Sequence, residues 1–220
     1  MSVYELPLFP LNTVLFPGMP LQLHIFEDRY KKMINLCLER SIPFGVVLID
    51  RGSEAHGPLA EPKDIGCTAQ IIETRPLTDG RMNIVALGQE RFRTIMVDNR
   101  KALYLNGIIE LFPLQDANKD AVMQAGDRLK PWLKKYLEIL TTTGVVDLEV
   151  PQIPGDPQAL AYLAAIALQV PNREKQEFLS IETTSQLLIR LLDGYQREVA
   201  ILRALLANPD KQKIGSFSIK

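Results

Sequence analysis

The sequence contains little cysteine and little histidine, with two of each in 220 residues. Two cysteines can neither build a disulfide framework nor fill a tetrahedral structural zinc site. Cys37 and Cys67 each stand in an apolar stretch, which predicts buried thiols in a reducing compartment. The histidines, His24 and His56, have no acidic or thiol neighbours at metal-ligand spacing. We therefore expect no metal site and no cofactor.

Neither sign of charge dominates, because 25 Lys+Arg stand against 26 Asp+Glu and the net charge is -1. This balance argues against a nucleic-acid binder that relies on overall electrostatics. No apolar run reaches the ~18 residues that a membrane span needs. The start of the chain lacks the basic-then-apolar layout of a signal peptide. The sequence predicts a soluble cytoplasmic protein without membrane contact.

Motifs for nucleotide hydrolysis and for nucleophilic catalysis are also missing. No Gly-x-x-x-x-Gly-Lys-Ser/Thr segment is present to hold nucleotide phosphates. The serines at 41, 53, 180 and 185 stand in no recognisable nucleophile setting. We therefore predict no enzymatic activity and name no catalytic residue.

What the sequence does contain is a change of period near its middle. Residues 3–111 hold short runs rich in Val, Ile, Phe and Thr, cut by Pro and Gly, which is typical of strands. The runs are Val3–Leu8, Leu21–Phe26, Phe44–Ile49, Cys67–Thr74, Met82–Leu87, Phe92–Val97 and Tyr104–Leu111. Asp79-Gly80 lies between two of them and predicts a hairpin turn, because both residue types tolerate positive φ.

Helical spacing marks one segment of this half and nearly all of the second half. After the acidic pair Glu27-Asp28, largely apolar residues recur at spacings of three and four. They are Tyr30, Met33, Ile34 and Cys37. Beyond Leu111 the apolar residues follow a 3.6-residue repeat, which predicts a helical bundle. We predict a β-rich domain over 1–115, a helical bundle over 116–207 and a disordered tail over 208–220.

Several segments resemble the N-terminal domain of Lon proteases. Near the start they are Leu6–Leu11, Val14–Leu21 and Ile25–Tyr30; further matches follow in the family's order at Ile65–Ala69, Asp79–Ile84, Gly88–Arg93 and Lys175–Leu179. The resemblance implies an α+β fold, with a β-rich PUA-like pseudo-barrel holding one internal helix, followed by an α-helical bundle. Lon proteases continue with ATPase and Ser-Lys peptidase modules, so the resemblance implies a stand-alone, non-catalytic form here.

The function that this resemblance implies is recognition of unfolded or exposed polypeptide segments, as a substrate-recognition or adaptor factor in ATP-dependent proteolysis and protein quality control. A partner ATPase or protease is a further expected partner. Unfolded clients display apolar side chains, so an exposed apolar loop is the candidate contact. Prolines and a glycine prevent regular structure at Leu15–Pro20, and we name Phe16, Met19 and Leu21 as candidate contacts. The alternative is that Phe16 and Met19 cap the barrel core.

Charged residues inside the matched segments have two interpretations. Glu27, Arg29 and Arg91 either form a ligand-facing cluster or make structural ion pairs that tie the helix to the barrel. Two other functions also stay open from the residues. One is a PUA-like nucleic-acid binder, and the other is an enzyme with a small-molecule site between the two domains.

Overall fold

The computed structural model describes residues 3–52, 60–98, 102–116, 118–142 and 152–207. His56 and the expected tail at 208–220 lie outside these residues. The elements are β1 (Val3–Leu11), β2 (Pro20–Ile25), α1 (Asp28–Arg40), β3 (Phe44–Arg51), β4 (Glu61–Pro76), β5 (Met82–Asp98), β6 (Leu105–Leu111), α2 (Lys119–Thr142), α3 (Pro157–Ala167), α4 (Asn172–Leu179) and α5 (Thr184–Ala207).

The six described strands form one mixed sheet in the order β2-β5-β4-β3-β1-β6. β1 and β3 run parallel, with α1 as the crossover between them, and the other pairs are antiparallel. A further pairing of β5 with β6 closes five of the strands into a barrel and leaves β2 at the end of the sheet. The predicted α+β class, with a β-rich barrel and one internal helix, is confirmed.

The long strand β5 has two different neighbours along its length. Its first part, Met82–Leu87, pairs with β2, and its last part, from Phe92 onward, pairs with β6. Pairing with β4 shifts register between Cys67 and Ala69, which is the signature of a β-bulge. The sequence predicts two strands here, but the structure has one continuous strand that pairs with β2 along its first part and with β6 along its last part.

Helix α1 lies over the main barrel core as its spacing predicts. Tyr30, Met33, Ile34 and Cys37 are all buried in the same apolar cluster as residues of the strands. The helix ends at Ser41, whose φ of 54° is in the left-handed region. The hairpin turn is also confirmed, because both Asp79 and Gly80 have positive φ.

The chain divides into two compact units that are both discontinuous in sequence. One unit is Met1–Gln115 with Ala165–Glu182, and the other is Asp116–Ala164 with Thr183–Lys220. The first unit therefore includes α4, a segment that the sequence analysis counted with the bundle. A buried hydrogen bond attaches this helix to the barrel, because Gln176 Nε2 donates to the carbonyl of Ile65 in β4 at 2.9 Å.

The helices of the second unit begin at polar residues and meet through aromatic side chains. The N–H of Ala121 donates to Asn118 Oδ1 (3.1 Å), and the N–H of Ala159 donates to Asp156 Oδ2 (2.7 Å), so these two side chains cap the starts of α2 and α3. Tyr136 of α2 and Tyr195 of α5 meet edge to face, with ring centroids 5.1 Å apart. These contacts specify how α2 packs on α5.

Candidate functional site

The loop that the sequence singles out lies against the barrel. Phe16 is fully buried, and Gly18 and Met19 exchange backbone hydrogen bonds with Gly88 of β5 (Gly18 N–H to Gly88 O, 2.9 Å; Gly88 N–H to Met19 O, 3.0 Å). The expected exposure of Phe16 is therefore wrong. The physical reason is a contact between residues that are distant in sequence. Because Gly88 has no side chain, the backbone of β5 can pack directly against the backbone of the loop.

The other two candidate contacts differ in their exposure. Leu21 is only 8% exposed and belongs to the barrel core. Met19 is half-buried and packs against the same core. Of the three residues, Met19 alone presents a side chain partly to solvent, and its role as a contact stays a prediction.

Of the three charged candidates, Glu27 and Arg29 pair with each other, whereas Arg91 has different partners. Arg29 Nε lies 3.0 Å from Glu27 Oε2 at the start of α1, and the Arg29 guanidinium lies over the Tyr30 ring at 4.7 Å. Arg91, in contrast, contacts the end of α4. Only 2% of Arg91 is exposed, and its Nη1 donates to the carbonyls of Leu179 and Ile181, at 2.6 Å each.

The geometry of Arg91 has a structural explanation. The last carbonyls of a helix lack intrahelical donors and carry the negative end of the helix dipole, so a guanidinium there is stabilised. The same guanidinium lies 4.8 Å from the centre of the Phe112 ring. Arg91 therefore ties α4 to β5, and it presents little surface to any ligand.

A feature that the sequence analysis did not identify is the free edge of β2. Within the described residues, β5 is the one strand that pairs with β2. An edge strand presents unpaired N–H and C=O groups on its outer side. The alternation of Leu21-Gln22-Leu23-His24-Ile25 predicts a strand, but it carries no information about which strands pair with it.

The register shows which backbone groups point outward. The N–H of Gly88 donates to the carbonyl of Met19, so Met19 directs its carbonyl at β5, while the Gly88 carbonyl accepts from Gly18. Residues that bond to the neighbouring strand alternate along an antiparallel ladder, so Leu21 and every second residue after it bond to β5. The N–H and C=O groups of Gln22 and His24 consequently point away from β5.

Pro20 agrees with this register. It lies opposite Leu87, one residue before a bonded pair, at a position whose N–H is not needed by β5. Proline at the first residue of an edge strand costs no hydrogen bond of the ladder. The strand can therefore begin at Pro20 without loss of pairing.

An apolar groove lies along β2. Its volume is about 340 Å³; β2, including Gln22 and His24, forms one side, and Phe9 and Leu11 of β1, Glu27 just before α1 and Tyr30 of α1 line other parts. The Phe9 and Tyr30 rings stack with centroids 4.0 Å apart. Phe26, at the end of β2, is 42% exposed. The groove thus brings aromatic and aliphatic side chains next to an unpaired strand edge.

The solvent-facing side of β2 is polar. A second cavity, of about 500 Å³, is lined by Gln22 and His24 of β2, by Glu73 and Arg75 of β4 and by Asn83 of β5, among other residues. His24 Nδ1 donates to Asn83 Oδ1 at 2.7 Å across the β2–β5 pair. One strand therefore separates an apolar groove from a polar face.

A third cavity, of about 750 Å³, lies between the barrel and α4. Acidic and basic side chains both line it, among them Asp50, Lys63, Arg173 and Glu177. A hydrogen bond from Lys63 lowers the pKa of the Asp50 carboxyl. Asp50 pairs with Lys63 in the barrel and Arg173 pairs with Glu177 along α4, so the charges of the lining favour no particular ligand.

The buried thiols do not provide a nucleophile. Burial raises the pKa of Cys37 to about 11 and the pKa of Cys67 to about 12. Both cysteines are free and buried. Because the thiolate is the reactive form, burial disfavours the reactive state of both residues at neutral pH.

Comparison with known proteins places this fold in a class. The fold is that of Lon N-terminal domains: the structure of a Lon N-terminal domain protein from Xanthomonas campestris superposes with a TM-score of 0.62 at 23% identity, over 86% of this chain and 98% of that one. The N-terminal domain of a Mycobacterium avium complex Lon protease gives the same TM-score at 18% identity, over 88% of this chain and 98% of that one.

The family follows from the sequence match. The chain belongs to the family of ATP-dependent protease La (LON) substrate-binding domains, whose model matches residues 5–196. It is 29% identical over 198 residues to a Lon protease of Paraburkholderia phytofirmans, covering 87% of this chain and 24% of that protein. It is 26% identical over 199 residues to Lon protease 2 of Myxococcus xanthus, covering 88% and 24%. The chain thus spans about a quarter of the length of these relatives.

A shorter match comes from a different kind of protein. A LON peptidase N-terminal domain and RING finger protein of Schizosaccharomyces pombe is 37% identical over 101 residues, which is 41% of this chain and 21% of that protein. In the matched part of the chain, only the substrate-binding domain of the Lon proteases is detected. None of the helices in the described ranges is both long and apolar enough to cross a membrane.

Proposed function

We propose that this protein is a non-catalytic substrate-recognition module that binds unfolded or exposed polypeptide segments. The observation that carries the proposal is the match of residues 5–196 to the Lon substrate-binding domain family. The apolar groove along β2 supports it, since unfolded chains differ from folded proteins by the apolar side chains they display.

The proposal includes an adaptor role. In this role the module binds unfolded segments and delivers them to an ATP-dependent protease or its ATPase subunit. The reducing cytoplasm suits such a role, because buried Cys37 and Cys67 remain free thiols there.

The test is binding of a permanently unfolded protein. Labelled, reduced and carboxymethylated α-lactalbumin is titrated with the purified protein, and fluorescence anisotropy is recorded. We expect saturable binding that unlabelled unfolded protein competes away and native α-lactalbumin does not. The absence of saturable binding would contradict the proposal.

Parallel assays address the other functions. Labelled single-stranded RNA in the same titration tests the nucleic-acid hypothesis, for which binding should weaken steeply as salt rises. ATP hydrolysis and casein cleavage are measured against a mock-purified control. Turnover that persists through repurification would show that the module is catalytic.

A further inference from the structure

The edge of β2 offers hydrogen-bonding groups that match those of an extended polypeptide. Gln22 and His24 each direct an N–H and a C=O outward. Within the described residues, no strand lies on that side of β2 to bond with these outward groups. These four groups repeat at the spacing of a β-strand, because they belong to one. Their natural complement is the backbone of another strand.

The groove beside this edge matches the side chains of such a strand. Successive side chains of a strand point to opposite faces, so a segment lying along β2 would direct every second side chain into the groove. There it would meet Phe9, Leu11 and Tyr30. The intervening side chains would lie on the same face as Gln22 and His24, which is polar.

The opposite wall leaves room for such a segment. The pairing of β1 with β6 ends at Leu8, and Phe9–Leu11 pair with β3 alone within the described residues. Phe9 and Leu11 therefore line the groove from a stretch of β1 that carries no second neighbour. The groove is bounded by two strands that are not paired with each other.

We propose that the polypeptide segment binds as an additional β-strand on the outer edge of β2, with alternate apolar side chains in the groove. This inference rests on the proposed function and adds its chemistry. The ligand class is an extended segment that alternates apolar and polar residues and has no proline at its centre. Main-chain hydrogen bonds supply sequence-independent affinity, and the groove selects apolar side chains.

The decisive experiment removes individual N–H groups from the ligand. The probe is a short fluorescein-labelled peptide in which leucine alternates with glutamine. Two further versions carry backbone N-methyl groups, one on every leucine and the other on every glutamine. Side chains are identical in all three peptides, so differences in binding report main-chain hydrogen bonds.

The expected result is loss of binding in one methylated peptide and retention in the other, because only alternate N–H groups of a strand face its neighbour. Loss with methylated glutamine indicates an antiparallel strand, and loss with methylated leucine indicates a parallel one. Equal affinity of all three peptides, or equal weakening of both methylated ones, would overturn strand addition.

A matched pair of protein variants tests the same hydrogen bonds from the other side. Gln22→Pro removes an outward N–H and the glutamine side chain, while Gln22→Ala removes the side chain and keeps the N–H. We expect Gln22→Pro to bind the unmethylated peptide about fivefold more weakly than Gln22→Ala, which corresponds to about 1 kcal/mol. Equal affinity of the two variants would contradict the inference. If Gln22→Pro unfolds, the binding of the methylated peptides to the natural protein still tests strand addition.

The outcomes separate this inference from the proposed function. Binding of the peptides regardless of methylation overturns strand addition and leaves polypeptide recognition in place. Binding of unfolded α-lactalbumin without binding of any peptide likewise overturns strand addition and leaves polypeptide recognition in place. Failure of both ligands overturns the proposed function itself. If β2 instead pairs with a second copy of the chain, sedimentation shows a dimer that peptide does not dissociate, which also overturns the inference.

Discussion

The Cα of Gly88 lies against the carbonyl oxygen of Phe16, so that a Cβ at position 88 would be 2.2 Å from that oxygen. Both partners of this contact are buried backbone, and neither can move aside as a flexible side chain would. The approach allows the two hydrogen bonds that attach the loop before β2 to β5. Gly88, a residue without a side chain, therefore fixes the position at which β2 and its proposed binding edge begin.

Replacement of Gly88 by alanine should destabilise the protein. We expect Gly88→Ala to lower the free energy of unfolding by about 1–3 kcal/mol, as for other overpacked sites. Urea denaturation monitored by circular dichroism measures the change.

The matched control is Gly126→Ala in α2, where a Cβ would meet its nearest neighbour, Leu160, at an ordinary 3.5 Å. Alanine favours helix over glycine by up to about 1 kcal/mol, so this variant should be at least as stable as the natural protein. Similar losses in both variants would show that the contact at Gly88 has no special cost.

Arg91 and Arg93 should differ strongly in their contribution to stability. Arg91 is buried and donates to two carbonyls at the end of α4, whereas Arg93 is 43% exposed and lies 3.7 Å from Glu110 and 3.6 Å from Glu182. We expect Arg91→Ala to cost about 3 kcal/mol or more, because hydrogen bonds to charged groups contribute about 1.5–3 kcal/mol each.

Arg93→Ala is the control, with an expected loss within about 1 kcal/mol, the range of exposed ion pairs. Thermal and urea denaturation compare the two variants. A loss at position 91 as small as that at position 93 would mean that the contact between β5 and α4 is not energetically important.

Met19 provides the test of the contact predicted from the sequence. Since Met19 is half-buried on the barrel core, Met19→Asp should lower the free energy of unfolding by about 1–3 kcal/mol through partial burial of a polar group. If Met19 also contacts bound polypeptide, the dissociation constant for unfolded α-lactalbumin should rise at a temperature where the variant is fully folded.

Met19→Leu keeps both volume and apolar character, and it should weaken binding less than Met19→Asp. Unchanged binding by folded Met19→Asp would remove Met19 from the contact surface. The peptide-methylation experiment would then still test the edge of β2, since its outcome does not depend on this side chain.

The thiols predict a loss of stability at alkaline pH. The pKa values of Cys37 and Cys67 are raised by burial from 9.0 to about 11 and about 12. Below pH 9 both thiols are protonated in the folded and unfolded chains, so their contribution is fully present. Above it the unfolded chain releases protons that the folded chain retains, and stability falls with rising pH.

The measurement is urea denaturation under reducing conditions at a series of pH values. We expect the decline of the natural protein above pH 9 to be steeper than that of the double variant Cys37→Ala, Cys67→Ala. Parallel pH profiles of the two proteins would contradict the burial effect. A disulfide-exchange reagent at neutral pH should label the thiols only after unfolding.

Local features of the fold are predictable from the sequence. The spacing of Tyr30, Met33, Ile34 and Cys37 places α1 and its buried face correctly, and Asp79-Gly80 identifies the hairpin between β4 and β5. In both cases the determining interactions lie within a few residues. Asp156 and Pro157 mark the start of α3 for the same reason.

Features that depend on distant residues are not predictable in this way. The burial of Phe16 comes from Gly88, and the contact of Arg91 with Leu179 joins positions 88 residues apart. The alternation at Leu21–Ile25 predicts a strand, but whether its outer edge is paired depends on the topology of the whole sheet. The candidate binding edge could therefore be found only in the structure.

The contact of Arg91 with α4 also fixes an order of events during translation. The carbonyls of Leu179 and Ile181 are synthesised 88 and 90 residues after the guanidinium that they bind. At ribosomal rates this interval is on the order of ten seconds. Once β6 has been made as far as Leu111, the nascent chain has all six described strands but still lacks the two carbonyls that bind the buried Arg91 guanidinium. The hydrogen bonds that bury Arg91 can therefore form only once the chain has been made as far as Ile181.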